Sequence, residues 1–209
     1  MRTLYVIGDS FSTAFDFGGK FREDYIKFKG YVPKYWGQMV AEELDLNLVT
    51  YGSVGDNEQI LDKLIDILDS IKENDIVCIG WTSILRFRWA FKDKWLCMFP
   101  TTSSDFHSSF ITKTAHEETI VNRENVLYKE SLLKRIKLIE TALPNNLIIS
   151  WSWENDLSIK ANIEGVVYET ISDDTDGLIN DHHWSENGNK EFADWLINKI
   201  NKNKNSTSI

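Results

Sequence analysis

The sequence predicts an α/β protein built on a parallel sheet, and three observations carry that prediction. Five short apolar, β-branched runs recur along the 209 residues; the stretches between them space their apolar side chains as helices do; and glycines close several of the runs. Strands that alternate with helices call for parallel pairing, because a parallel partner is reached only by a crossover long enough to hold a helix. The expected architecture is a three-layer α/β/α sandwich around a central five-stranded parallel sheet, with helices on both faces.

The five strands are expected at Thr3 to Gly8, Leu46 to Gly52, Asp75 to Gly80, Asn146 to Trp151 and Gly165 to Thr170. Between them, Ile60, Leu61, Leu64, Ile65, Leu68 and Ile71 form one apolar helical stripe, and Tyr128, Leu132, Ile136, Ile139 and Leu143 form another. Ser185 is placed to cap a final helix whose Phe192, Trp195, Leu196 and Ile200 share one side. The stretch from Phe91 to His116 breaks this rhythm, mixing Trp95, Met98, Phe99 and Pro100 with a Thr/Ser-rich run. Loops of that length usually have a role, so a lid-like excursion over the top of the sheet is expected at about 91–116. With 42% hydrophobic residues the chain suits a single domain over residues 1–200, and 201–209 reads as a frayed polar tail.

Composition excludes several classes of function. Lys and Arg number 23 against 32 Asp and Glu, a net charge of -9, which is the wrong sign for a general nucleic-acid footprint. No run is long and apolar enough to span a bilayer, and the N-terminal residues lack the pattern of a secretory signal, so a cytoplasmic protein without membrane partners is expected. Cys78 and Cys97 have no metal or redox spacing and read as free thiols. Asp173 to Gly177 lacks the alternating ligands and closing glutamate of a calcium loop and reads as a solvated acidic turn. Asp9, Asp181, His182 and His183 are too few for a metal phosphoesterase site, so neither metal nor organic cofactor is expected.

The residues with chemistry lie where strands end. In an open parallel sheet, ligands bind outside the carboxyl ends of the strands. Gly8-Asp9-Ser10, Gly52 to Asn57 and Gly80 to Ser83 all fall there, and Asp181-His182-His183 near the C-terminus can reach the same edge. A serine hydroxyl becomes a nucleophile when an imidazole takes its proton and a carboxylate holds that imidazole in the right tautomer.

Four ordered segments make the chain resemble the SGNH hydrolases, the GDSL esterase/lipase family. They are Val6-Ile7-Gly8-Asp9-Ser10-Phe11-Ser12, Tyr51-Gly52-Ser53-Val54-Gly55-Asp56-Asn57, Ile79-Gly80-Trp81-Thr82-Ser83 and Asp181-His182-His183-Trp184-Ser185-Glu186-Asn187-Gly188. The resemblance implies a flavodoxin-like fold, Ser10 as nucleophile, His183 as base and Asp181 as its orienting carboxylate. It also implies an oxyanion site at Gly55. The third segment lacks the family's asparagine, so Thr82 or Asn57 is expected to supply the side-chain donor. The fourth has Asn180 three residues before His183, which leaves Asp181 to serve at a spacing one residue shorter. These variants resemble SGNH-type sequences often found in bacteriophage genomes.

The expected activity is ester hydrolysis through an acyl-enzyme, with a small-molecule or carbohydrate ester as substrate and an acetylated sugar as the favoured class. Trp81, Arg86 and Trp184 are the candidate substrate-binding residues, since aromatic faces stack on sugar rings and an arginine can hold an anionic group. The alternative is a catalytically weakened SGNH scaffold that serves as a ligand-binding module, motivated by the missing asparagine. Either reading is compatible with a homo-oligomer.

Overall fold

The computed structural model describes residues 1–16, 19–52, 55–84, 86–91, 94–98, 126–153, 163–165 and 183–206. The sheet is parallel and α/β, with β1 at Thr3–Gly8, β2 at Asn47–Tyr51, β3 at Ile76–Trp81 and β6 at Leu147–Ser152. Among the described residues five helices accompany it: α1 Lys20–Lys29, α2 Trp36–Glu43, α3 Asn57–Ile67, α4 Val126–Ala142 and α5 Glu186–Ser206. The strand order β2-β1-β3-β6 has β1 flanked by β2 on one side and β3 on the other. The chain therefore leaves β1 in one direction and returns to its opposite side, so the switch point of the sheet is the crevice beyond Gly8 and Gly80, which are register partners.

Alternation along the strands divides the core in two. Leu4 and Val6 of β1, Ile76 and Cys78 of β3, and Ile149 and Trp151 of β6 join one apolar cluster with Trp36 and Val40 of α2 and Phe192, Leu196 and Ile200 of α5. Tyr5, Ile7, Val77, Ile79 and Trp81 join the other, with Ile60, Leu61 and Leu64 of α3 and Leu132, Ile136 and Ile139 of α4. Successive side chains of a strand point to opposite faces, so a strand covered on both sides must be apolar at every position. β3 meets that requirement, with all six residues buried.

Three expectations are corrected. Among the described residues the sheet has four strands of five or six residues rather than five: the next element, β7, Ile163–Gly165, pairs β6 in parallel over three residues and shares one residue with the run expected as the fifth strand. Three residues is the lower end of ordinary strand length, and residues 166–170 lie outside the described residues. The polar tail begins later than expected, because α5 continues to Ser206. Extending an existing helix costs little per residue, and Asn201, Lys202 and Asn203 are exposed. The stretch assigned to the excursion opens instead as an antiparallel hairpin, with β4 at Phe87–Phe91 pairing β5 at Lys94–Met98. The remainder of the lid-like excursion, 99–116, lies outside the described residues.

Candidate active site

Ser10 lies two residues past the end of β1 and opens a single 3-10 turn over Ser10–Ser12. Asp9 builds that turn. Its backbone is extended, its Oδ1 accepts the Phe11 N–H at 3.0 Å, and its carbonyl accepts the Ser12 N–H at 2.9 Å. The Asp9 carboxylate is fully buried, and its Oδ2 accepts the Trp153 indole N–H at 2.7 Å, with the Arg86 guanidinium 3.6 Å away. A buried carboxylate needs such partners to offset its lost hydration.

His183 reaches this turn from the other end of the chain. Its Nε2 stands 2.6 Å from Ser10 Oγ, joining residues 173 positions apart in sequence. This is within the reach required of a base acting on a nucleophile. The imidazole is held by rings: Phe11 lies 4.8 Å from it between centroids, Trp184 packs on Phe11 at 5.0 Å, and Phe192 of α5 packs on Trp184 at 5.0 Å. Each such aromatic pair contributes about 0.5–1.5 kcal/mol beyond simple burial.

Side chains that sequence reading did not single out tie the two halves together. Trp36, at the start of α2, donates its indole N–H to Phe11 O at 2.8 Å, and its backbone N–H goes to Asn189 Oδ1 at 3.0 Å. Asn189 in turn donates to the carbonyls of Trp184 and Ser185 at 3.2 and 2.8 Å, which fixes the segment carrying His183. Ser185 caps α5 as expected, its Oγ accepting the Asn187 N–H at 3.1 Å. Asn189 carried a signal that could have been used, because asparagine inside a helix is unfavourable and needs a separate reason to be there.

The expected oxyanion residues surround the end of β3. Asn57, the first residue of α3, makes two hydrogen bonds with the backbone of Thr82, and both residues are fully buried. The Thr82 hydroxyl has no hydrogen-bond partner among the described residues. The Gly55 N–H donates to Gln59 Oε1 at 2.7 Å, so an incoming oxyanion would compete with that side chain for it.

The candidate substrate-binding residues behave differently from expectation. Trp81 is fully buried in the core with Ile60, Leu64 and Ile136, where no ring face is available to a sugar. Trp184 is also buried, although it lines a cavity of about 10 Å³ together with Ser10, Thr13, Arg22 and His183. That volume suits roughly one water molecule. Arg86 packs over the Trp153 ring at 5.6 Å and faces Asp9, with 19% of its side chain exposed. Asp181 and His182 lie outside the described residues, as does the acidic stretch Asp173 to Gly177.

No group of three or more His, Cys, Asp or Glu side chains stands close enough to hold a metal ion among the described residues. Among them, too, no helix is long and apolar enough to cross a membrane. Compared with protein-family models, curated proteins and solved structures, the chain matches none.

Proposed function

We propose that the chain is a serine ester hydrolase of the SGNH type it resembles, with that family's flavodoxin-like three-layer arrangement, acting in the cytoplasm on a carbohydrate ester such as an acetylated sugar. The observation that carries this reading is the 2.6 Å separation of Ser10 Oγ and His183 Nε2 at the switch point of the sheet. In the first step Ser10 Oγ attacks the ester carbonyl while His183 Nε2 takes its proton. Collapse of the tetrahedral intermediate forms the acyl-enzyme and returns the proton to the departing alcohol. Water, deprotonated by the same imidazole, then releases the acid. Asp181 steadies the imidazolium in this scheme. The oxyanion is held by the Ser10 N–H and by a side-chain donor, either the Thr82 hydroxyl or the second Nδ2 proton of Asn57, and by the Gly55 N–H once Gln59 moves away.

A second reading, a ligand-binding module on the same scaffold, is favoured by one observation: Gly55 already donates to Gln59. Losing one oxyanion donor slows acyl transfer by about a hundred- to a thousandfold, which a binding module can tolerate. The test is release of p-nitrophenol or acetate from short-chain esters, with chelator present, by the wild type, Ser10→Ala and His183→Ala. Turnover that falls by about a thousandfold or more in both variants is expected for the hydrolase. No turnover by any of the three, with an acetylated sugar bound equally by wild type and Ser10→Ala, would favour the binding module.

A further inference from the structure

We infer that Arg22 is a positioning residue for the nucleophile, an inference that rests on reading Ser10 as that nucleophile. Arg22 lies in the first turn of α1 and is buried. Its guanidinium grips the segment just past β1 at three points, two backbone carbonyls and one hydroxyl: Nη2 donates to Ser10 O at 2.7 Å, and Nη1 donates to Ala14 O at 2.7 Å and to Thr13 Oγ1 at 2.9 Å. The Thr13 hydroxyl passes its own proton to Ser10 O at 2.7 Å, so the nucleophile's carbonyl receives two donors from one small network. Fixing that carbonyl fixes the peptide plane attached to the Ser10 Cα, and with it the direction in which Oγ can point toward His183.

The same helix also holds the base. Tyr25 lies three residues beyond Arg22, on the same side of α1, and its hydroxyl accepts the Glu186 N–H at 3.0 Å, three residues past His183. Phe15 fills the space between them: its ring stacks on Tyr25 at 5.5 Å and lies 5.9 Å from the Arg22 guanidinium carbon. Lys29, one turn further along, pairs with the Glu186 carboxylate at 2.9 Å. The helix is thus a splint with one end on the serine turn and the other on the segment that presents the histidine. A planar guanidinium can reach three acceptors at fixed angles, whereas the point charge of a lysine ammonium cannot reproduce that fork.

The experiment measures ester turnover and the rate of labelling by a fluorophosphonate serine probe for wild type, Arg22→Ala, Arg22→Lys and Thr13→Val, each normalised to the number of probe-reactive sites. A misplacement of about 1 Å at a reacting group costs about a hundredfold. Arg22→Ala is expected to lose about that much in kcat with KM little changed, and added guanidine is expected to restore part of it. Arg22→Lys keeps the charge and is expected to fall nearly as far, which assigns the effect to the fork. A purely structural role would reduce only the number of reactive sites, so unchanged kcat per site in Arg22→Lys would overturn the inference. If Arg22→Ala does not fold, Arg22→Lys and Thr13→Val decide the matter by the same normalised rates. A wild type that neither turns over esters nor reacts with the probe removes the nucleophile reading itself, and this inference with it.

Discussion

Asn57 and the backbone of Thr82 exchange two hydrogen bonds, Thr82 N–H to Asn57 Oδ1 and Asn57 Nδ2 to Thr82 O, each 2.9 Å long. The pair joins the start of α3 to the residue after β3 in a region without solvent. One Nδ2 proton is taken by Thr82, and the proposed mechanism assigns the other to the oxyanion. Asn57→Ala would leave both backbone groups of Thr82 buried and unpaired. At about 1–3 kcal/mol for each of the two groups, the variant is expected to lose about 2–6 kcal/mol of unfolding free energy, read from urea denaturation. Stability equal to wild type would mean that the pair is not a structural joint.

Thr82 supplies the complementary test. Its buried hydroxyl lacks a partner among the described residues, so Thr82→Val removes an unsatisfied polar group with almost no change of shape. The expected result is an unchanged or higher melting temperature together with ester turnover lowered by about a hundredfold, the usual cost of one oxyanion donor. Full turnover in Thr82→Val would take the donor role from Thr82 and leave it with Asn57.

The sheet and the side chains that brace the site differ in how much of them the sequence discloses. β1 and β3 were legible because a strand buried on both faces must be apolar at every position, and few other elements produce such a run. The two stripes of α3 and α4 were legible from their spacing. α1 was not, because six of the ten residues of Lys20–Lys29 are charged and its stripe is short, only Phe21, Tyr25 and Phe28; a second readable signal was Gly30, which ends the helix in the left-handed region at φ 77° after Lys27 and Lys29. Ser10 and His183 were legible from their motifs, and the structure brings them together. Arg22, Trp36 and Asn189 were not, because their work is to bond backbone atoms of distant segments, and no local pattern encodes a distant carbonyl. Trp81 misled for a physical reason: a tryptophan at a strand end looks alike in sequence whether its ring faces the cleft or the core.

Gly8 and Gly80 face each other across β1 and β3, and Ser12 lies against both. A Cβ on Gly8 would stand 2.3 Å from Ser12 Oγ and 2.8 Å from Gly80 O; one on Gly80 would stand 2.6 Å from Trp151 Cζ2. Neither backbone nor indole can yield cheaply, so Gly80→Ala is expected to destabilise by about 1–3 kcal/mol, as overpacked cores do. Gly8→Ala should displace the turn that carries Ser10, because Ser12 is the neighbour most easily pushed. Its ester turnover is therefore expected to fall further than its melting temperature suggests, and Gly8→Ala/Ser12→Gly, which vacates the space, to recover part of it. Failure of the second change to restore any activity would locate the damage elsewhere.

Alkaline pH should unfold the protein through two groups that sit inside the sheet's first cluster. Burial pushes the Tyr35 hydroxyl, which is hydrogen-bonded to Thr50, from 10.0 up to about 12. Burial also pushes the Cys78 thiol far above that of a free cysteine. Both groups are neutral when protonated, so below about pH 8 folded and unfolded chains carry nearly the same protons and little stability is lost. As pH rises, the unfolded chain loses these protons while the folded one keeps them. Stability therefore falls from about pH 8 upward, first through Cys78, and the share belonging to Tyr35 falls between pH 10 and about 12, by about 2–3 kcal/mol over that window. Urea midpoints at pH 8, 9, 10 and 11 are expected to decline across the series. Tyr35→Phe should be less stable than wild type at pH 8 for loss of the Thr50 contact, yet decline less steeply above pH 10. Parallel curves for the two proteins above pH 10 would show that Tyr35 ionises as easily in the folded protein as in the unfolded one.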